Sequence, residues 1–260
     1  MTDRARLFAD HLRHRRELGE REIFCEPGRR EAILSRTKLL ASRPRGAAAT
    51  PGLDAARLAR EGTAAEILAI PDIDQLKGVA DACSRCGLHA TRTHPVFADG
   101  SAEARVMCVG EAPGQREDET GVPFVGRAGK LLDRLLASVG IGREGVFICN
   151  VLKCRPPGNR NPLPEEIESC SPFLLRQLAL VDPDVVIAFG TFAARTLLDS
   201  PESLGKMRQR THRYEGRPLV VTYHPAALLR NPGWIRSSWE DLQRVREILD
   251  GGDPRSAPGD

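Results

Sequence analysis

Short apolar runs bounded by turn-forming residues recur along the chain from residue 105 onward. They are five or six residues long and rich in Val and Ile, which is typical of buried β-strands. The runs cover residues 105–109, 146–150, 184–189 and 219–223. We predict that these four segments are the strands of one sheet.

The segments between these runs carry apolar residues at helical spacing. Residues 128–139 contain leucines on one helical stripe, and residues 164–180 begin with Pro-Glu-Glu, a favourable first turn. Residues 238–249 form a third amphipathic pattern. Strands that alternate with helices require crossover connections and therefore a parallel sheet. The fold class predicted is α/β, a three-layer α/β/α sandwich with a central four-stranded parallel sheet.

Composition divides the chain into three zones. Residues 1–52 are predicted to be a charged N-terminal extension that ends in a Pro-, Gly- and Ala-rich linker. Residues 53–250 are predicted to be the α/β/α domain, and residues 251–260 a flexible tail. Residues 1–50 hold 12 Lys and Arg against 7 Asp and Glu, which more than accounts for the net charge of +3. Global charge therefore says little about nucleic-acid binding.

The bulk properties indicate a single sizeable core, because 41% of the 260 residues are hydrophobic. No apolar run approaches the roughly 20 residues that span a membrane, and the charged N-terminus lacks a signal-peptide core. We expect a soluble cytoplasmic protein that acts as a monomer and has no membrane partner. The odd count of seven cysteines favours reduced thiols or a metal site over a disulfide framework.

Four of the cysteines are spaced as one close pair and two distant residues, so a fold must bring them together. Four thiolates suit a closed tetrahedral metal site or an iron–sulfur site, and spacing alone does not choose between zinc and iron–sulfur. These four are Cys83, Cys86, Cys154 and Cys170. The remaining three, Cys25, Cys108 and Cys149, are interpreted mainly as small buried hydrophobes.

An acidic loop follows the first predicted strand, at the sheet edge where open parallel sheets bind ligands. Residues 110–118 lack both the dinucleotide-binding and the P-loop glycine patterns. Their carboxylates, Glu111, Glu117 and Asp118, would repel a phosphate but could position a water or stabilise a developing cation. A helix-capping cluster is the simpler alternative.

Three further side chains near strand ends have the chemistry of a base-binding pocket. Asn150 closes the second strand with a donor and an acceptor side by side, although a strand-end turn would explain it equally well. Phe124 lies between glycines and could stack on a planar ligand, with a core position as the alternative. His224 stands between the last strand and Pro225, where it could donate a hydrogen bond to a leaving group.

Candidate DNA contacts lie at the C-terminal side of the domain. Leu229 and Arg230 form an apolar tip beside a cation, which could enter a base stack or instead begin a buried helix. A basic patch could come from Arg208, Arg210, Arg213 and Arg217, although scattered arginines usually form a solvated surface.

Taken together, these segments resemble the family 4 uracil-DNA glycosylases, the iron–sulfur class of the uracil-DNA glycosylase superfamily. The resemblance runs from about Ala82 to Ile248. Its carriers are Cys83-x-x-Cys86, Gly110-Glu111-Ala112-Pro113-Gly114, Pro123-Phe124-Val125-Gly126-Arg127-Ala128-Gly129, Asn150 to Pro157 with Cys154, Cys170, and Thr222-Tyr223-His224-Pro225. It implies a [4Fe–4S] cluster held by Cys83, Cys86, Cys154 and Cys170.

The resemblance also implies an activity and residue roles. The activity is monofunctional excision of uracil from single- or double-stranded DNA by base flipping, within base excision repair, which would associate the protein with the nucleoid. Implied catalytic residues are Glu111, Glu117 and His224. Implied substrate-binding residues are Asn150, Phe124, Gly110, Ala112 and Asn159, and implied DNA contacts are Leu229, Arg230 and Arg210.

Three alternatives stay open from the sequence. A covalent uracil-DNA-binding relative carries its histidine on an inserted basic loop, whereas residues 156–162 are short and contain none; only His212 keeps that alternative open. A non-catalytic iron–sulfur module that binds DNA lesions would keep the cysteines but release no base. A zinc protein of the same fold would lack the colour of an iron–sulfur cluster.

Overall fold

The computed structural model of the chain describes residues 54–251. The predictions for the N-terminal extension and for Cys25 lie outside these residues, and so does the predicted C-terminal tail apart from its first position, residue 251. The predicted domain boundaries stay a prediction. Among the helices of residues 54–251, none has both the length and the apolar character that crossing a membrane requires.

A six-stranded sheet forms the centre of the described residues. Its strands are β1 (Asp99–Gly100), β2 (Val106–Gly110), β3 (Val146–Asn150), β4 (Val185–Phe189), β5 (His212–Tyr214) and β6 (Arg217–Thr222). The order is β1-β3-β2-β4-β6-β5; the four central strands are parallel, and both edge strands are antiparallel to their neighbours. Strands β2, β3 and β4 are buried along their whole length, as expected for a parallel sheet covered on both faces.

Helices and short 3-10 turns connect the strands. The described helices are α1 (Ala55–Glu61), α2 (Ala64–Leu68), α3 (Ile73–Asp81), α4 (Gln115–Thr120), α5 (Arg127–Ala137), α6 (Pro164–Val181), α7 (Gly190–Leu198), α8 (Leu204–Met207), α9 (Pro225–Arg230) and α10 (Ile235–Leu249). The 3-10 turns are Gly87–Ala90, Arg143–Gly145, Pro157–Asn159 and Pro232–Trp234. Local signals set the ends of α6: Pro164 starts it, and Asp182 ends it in the left-handed conformation with φ 50°.

Each face of the sheet carries its own layer of helices. Leu132 and Leu136 of α5 pack with Leu242 of α10 on one face, while Leu174 and Leu178 of α6 pack on the other with residues of α7. Full burial of a leucine side chain stabilises the fold by about 1.5–3 kcal/mol. This packing, more than helix propensity, holds the helices in place. Helices α1–α3 build a smaller core against the outer side of α6.

The predicted fold class is confirmed, with one difference in strand count. The four predicted strands are the four central parallel strands; β3 has the predicted ends, and the ends of the other three differ by at most two residues. The sheet gains the short antiparallel strands β1 and β5 at its edges. These have two and three residues and no apolar run, so their pairing depends on the neighbouring strand and left no pattern in the sequence.

Candidate active site and thiol cavity

The loops at the carboxyl ends of the parallel strands meet around Gly110. The chain leaves β2 for β3 on one side, and β4 lies on the other, which makes this end of β2 the switch point where such sheets bind ligands. Gly110 pairs with Asn150 across the two strands. A Cβ at Gly110 would lie 2.3 Å from Oδ1 of Asn150 and 2.7 Å from Cζ of Phe124. Because Gly110 has no side chain, the Asn150 carboxamide and the Phe124 ring can both lie close to its Cα.

Asn150 presents a free carboxamide at that point. The residue is only 2% exposed. Its side chain makes no hydrogen bond within residues 54–251. Its polar atoms are nevertheless not among the fully inaccessible ones that lack a partner, so they can still be reached. An unpaired buried polar group costs about 1–3 kcal/mol, so a carboxamide left open in this way is suited to a polar ligand.

Phe124 is held in an uncommon backbone conformation, with φ 53°. Arg143 holds it there, donating hydrogen bonds to the carbonyl oxygens of Pro123 at 2.8 Å and Phe124 at 3.2 Å. The same guanidinium forms ion pairs with Asp99 at 2.7 Å and Asp133 at 2.8 Å. Positive φ in a bulky residue persists only where the surroundings enforce it, and it is common at ligand sites.

His224 is a neutral hydrogen-bond donor beside the ring. Its Nδ1 accepts a hydrogen bond from the backbone N–H of Ala226 at 3.1 Å, which assigns the ring proton to Nε2. Burial, with a smaller contribution from the positive charge of Arg230, lowers the pKa of His224 to about 4. The imidazole lies with its centroid 5.5 Å from that of the Phe124 ring. At neutral pH the imidazole is therefore uncharged, and its Nε2–H can donate a hydrogen bond.

The three carboxylates of the acidic loop occupy different environments. Burial raises the pKa of Glu111 above its ordinary value. Glu117 accepts hydrogen bonds from the backbone N–H groups of Val125 and Gly126, both at 3.0 Å, and so braces the segment that follows Phe124. Asp118 is buried and accepts from the backbone N–H of Thr93 at 2.9 Å, which is a structural role. The catalytic roles of Glu111 and Glu117 stay predictions.

Two further predicted pocket residues contact other parts of the structure. Ala112 packs against the small core formed around Leu152 and Cys154. Asn159 is exposed, has φ 54°, and accepts a hydrogen bond from Arg155 at 2.8 Å. Their substrate-binding roles stay predictions.

The predicted apolar tip is present at the surface. Leu229 is 38% exposed, and its neighbour Leu228 is fully buried. Arg230 is exposed at the last position of α9, the short helix that begins with the His224 cap. The tip and the imidazole are thus carried by one helical turn. Their contact with DNA stays a prediction.

The predicted basic patch has few free charges. Three of its arginines are ion-paired: Arg208 with Asp241 at 2.6 Å, Arg210 with Glu202 at 2.6 Å, and Arg217 with Asp182. Arg213 donates to the carbonyl oxygen of Gly216 at 3.0 Å. The DNA contact of Arg210 stays a prediction, and it would compete with its ion pair.

His212 lies away from the residues that meet at Gly110. It is half-buried in β5, and its Nε2 lies 2.7 Å from the carbonyl oxygen of Met207. A ring nitrogen engaged in this way is not presented to a substrate.

The four cysteines predicted as ligands line one cavity, with Arg92 and Lys153 among the other lining residues. Arg92 donates a hydrogen bond to Sγ of Cys154 at 3.1 Å, and the backbone N–H of Lys153 donates to Sγ of Cys170 at 3.3 Å. Burial raises the pKa of Cys170 to about 12, and it also raises those of Cys83 and Cys154.

The chemistry of this donor set fits a sulfur-ligated group. Buried thiols of raised pKa become thiolates when a cation binds them, and the Arg92 guanidinium would offset the negative charge that results. No three or more His, Cys, Asp or Glu side chains within residues 54–251 are grouped closely enough to hold a single metal ion. Cys108 and Cys149 are buried in the sheet, as predicted for small hydrophobes.

Sequence reasoning missed two cations that organise the site, the buried Lys153 and the half-buried Arg143. Lys153 is 3% exposed, and its Nζ donates to the carbonyl oxygen of Asn150 and to Oε1 of Gln177, both at 2.6 Å. Its backbone N–H donates a hydrogen bond to Sγ of Cys170. One residue therefore connects the cavity lined by the cysteines with the backbone of Asn150. The sequence did contain a signal for Lys153, because this lysine directly precedes Cys154, a predicted ligand. Arg143 had none, because its partners come from three separate segments.

Comparison with known proteins decides the family. A family model described as the uracil DNA glycosylase superfamily matches residues 97–245. The chain belongs to the uracil-DNA glycosylase superfamily. The match to this superfamily includes Gly110, Phe124, Asn150 and His224, and it begins after Cys83 and Cys86.

Relatives within the superfamily show which of its families the chain resembles. A type-4 uracil-DNA glycosylase of Thermotoga maritima is 48% identical over 171 residues, which cover 64% of this chain and 89% of that protein. A type-4 uracil-DNA glycosylase of Archaeoglobus fulgidus is 42% identical over 175 residues, 64% of this chain and 87% of that protein. One from Pyrobaculum aerophilum is 43% identical over 181 residues, 66% and 91% respectively. The predicted resemblance to the family 4 uracil-DNA glycosylases is confirmed.

Proposed function

We propose that this chain is a monofunctional uracil-DNA glycosylase that excises uracil from DNA by hydrolysing the N-glycosidic bond. The observation that carries the proposal is the free Asn150 carboxamide beside the Phe124 ring, at a strand end where Gly110 leaves room for both. Membership of the superfamily and the names of the type-4 relatives support the same activity.

Base recognition follows from stacking and from one pair of polar groups. Uracil, flipped out of the helix at a cost of a few kcal/mol, would stack on Phe124. The Asn150 carboxamide would donate to a carbonyl oxygen of the base and accept from its ring N–H. Cytosine presents an amino group where uracil presents an oxygen, so two donors would face each other in a buried contact. A site of this kind discriminates strongly, because the wrong base leaves a buried polar group unpaired.

Bond cleavage would be driven by groups that match the developing charges. As the N-glycosidic bond loosens, negative charge grows on the base and positive charge on the sugar. The Nε2–H of neutral His224 would stabilise the base oxygen, a role that needs a donor already in position. Glu111 would position the attacking water and stabilise the sugar cation, and Glu117 would keep the Phe124 loop in place. Leu229 and Arg230 would contact the DNA from which the base has left.

We also propose that Cys83, Cys86, Cys154 and Cys170 hold a [4Fe–4S] cluster. The support is one cavity that is lined by four buried or half-buried thiols and by Arg92. When bound, the cluster would be structural and would tie three chain segments together beside the sheet edge. Lys153 would then hold the Asn150 backbone from the same side. Action as a monomer and a cytoplasmic location stay predictions.

The test is incubation of the full-length protein with a uracil-containing oligonucleotide, followed by a denaturing gel with and without alkali treatment. Cleavage that needs alkali is the expected result, because base release leaves an alkali-labile abasic site. Asn150→Ala is expected to lose most of this signal, while Asn161→Ala, at an exposed loop position, keeps it.

Two outcomes would overturn the proposal. A protein–DNA band that survives denaturation would indicate a covalent trap. No cleavage by protein that has the visible absorption of an intact cluster would leave a binding module as the better account. Normal base release by Asn150→Ala would overturn the pocket assignment.

A further inference from the structure

We propose that Arg127 and Lys130, assisted by Arg116, form a groove that binds backbone phosphates of the DNA beside the uracil pocket. The inference rests on the proposed function, because it names the surface with which the same site holds its substrate. The groove has a volume of about 580 Å³ and is lined by Arg116, Thr120, Val125, Gly126, Arg127 and Lys130.

The groove and the pocket share one loop. Val125 and Gly126 follow Phe124 directly in the chain, and Glu117 holds both of their N–H groups. Helix α5 begins at Arg127 and carries Lys130 one turn later. A nucleotide whose base stacks on Phe124 would therefore have its neighbours along the strand close to these two cations.

The charges around the groove leave two cations uncompensated. Three nearby carboxylates are engaged by groups other than Arg127 and Lys130: Glu117 by backbone N–H groups, Asp118 by Thr93, and Asp133 by Arg143. A fourth, Glu119, pairs with Arg116 at 3.0 Å. Arg127 and Lys130 are exposed and form no ion pair within residues 54–251.

Arg116 has a secondary part in this assignment. Its pair with Glu119 is solvent-exposed, and such pairs contribute only about 0–1 kcal/mol, so a phosphate could take the place of the carboxylate. The arginines near β5 and β6 are weaker candidates, because three of the four are already held by carboxylates.

The chemistry of the groove selects the DNA backbone over the bases. Cationic side chains on an open surface bind phosphates, and they fix the position of the strand without reading its sequence. No aromatic side chain is among the lining residues, so the groove offers bases nothing on which to stack. Each neutralised phosphate releases counterions and gives the binding a measurable salt dependence.

The experiment measures the affinity of the full-length protein for a fluorescent single-stranded oligonucleotide without uracil, by anisotropy, at several salt concentrations. The variant is R127A/K130A. Loss of two phosphate contacts is expected to make the negative slope of log K against log salt shallower by about 1.4. Between 50 and 200 mM salt, the variant's affinity would then fall about sevenfold less than that of the wild type. R127K/K130R is expected to keep the slope, because point charges suffice for phosphate.

The matched control is R60A/K206A, which removes two exposed cations on α1 and α8, outside the groove. It is expected to keep the wild-type slope. An unchanged slope in R127A/K130A, or an equal fall in both double variants, would overturn the groove. Base release by the wild type is measured in parallel on a uracil-containing strand. Its absence would overturn the proposed function, whereas wild-type release with an unchanged variant slope would overturn the groove alone.

Discussion

The pH dependence of base release distinguishes the two titrating groups at the pocket. Burial lowers the pKa of His224 to about 4 from an ordinary value of 6.5. At pH 6 only about 1% of such imidazoles carry a proton, whereas about three quarters would do so at the ordinary value. The neutral donor is therefore present throughout the range in which an ordinary histidine titrates. We predict that the single-turnover rate shows no inflection near pH 6.5.

Glu111 shifts in the opposite direction, and its titration sets the acid side of the profile. Burial raises its pKa above 4.5, so falling pH neutralises this carboxylate before it charges His224. A protonated Glu111 can no longer accept a proton from water or stabilise the sugar cation. The rate is thus expected to fall as pH drops through the raised pKa of Glu111.

Single-turnover base release between pH 4 and 8, quantified after alkali cleavage, measures both effects. Glu111→Gln is expected to be slower at every pH and to lose the acid limb that lies above the His224 pKa. Glu103→Gln, which removes an exposed carboxylate outside the site, serves as the control for general charge effects. An inflection near pH 6.5 that disappears in His224→Gln would refute the assignment of a neutral imidazole.

Three further predictions concern the groups behind the pocket. Gly110→Ala is expected to slow base release by about 100-fold, because its methyl group would displace the Asn150 carboxamide and the base. Gly205→Ala is the control, because a Cβ at Gly205 has open space, and equal rates for the two variants would contradict the steric argument. Lys153→Met is expected to lower the free energy of unfolding by about 2–4 kcal/mol, because it leaves two buried acceptors unpaired; an unchanged urea midpoint would count against this. Cys154→Ser is expected to lose visible absorption and to melt at a lower temperature, and retention of the wild-type absorption in the purified variant would remove it from the ligand set.

The sequence predicted those parts of the fold and site that depend on local pattern. Buried parallel strands have apolar runs, so the four central strands were visible. Gly110, Asn150 and His224 were predicted at the edge of the sheet because each follows or ends such a run. The structure adds that they meet Phe124 there.

What the sequence did not predict depends on contacts between distant segments. Arg143 joins Asp99, Asp133 and the Phe124 loop, and no spacing in the chain encodes that meeting. The arginines near β5 resembled a basic patch because their acidic partners, such as Asp182 and Asp241, lie far away in sequence. Glu117 was predicted as a catalytic carboxylate, and its two backbone hydrogen bonds became visible only in three dimensions.

The edges of the sheet have a consequence for how the folded protein behaves at high concentration. A long unpaired edge strand is a template on which a second chain can add a strand and start aggregation. Here one edge is β1, which has two residues and includes Gly100 at φ 94°, and the other is β5, which has three. Neither offers a continuous row of free backbone donors and acceptors. For residues 54–251, strand-to-strand aggregation would therefore have to begin from an opened domain, in which β2, β3 or β4 has lost its neighbours.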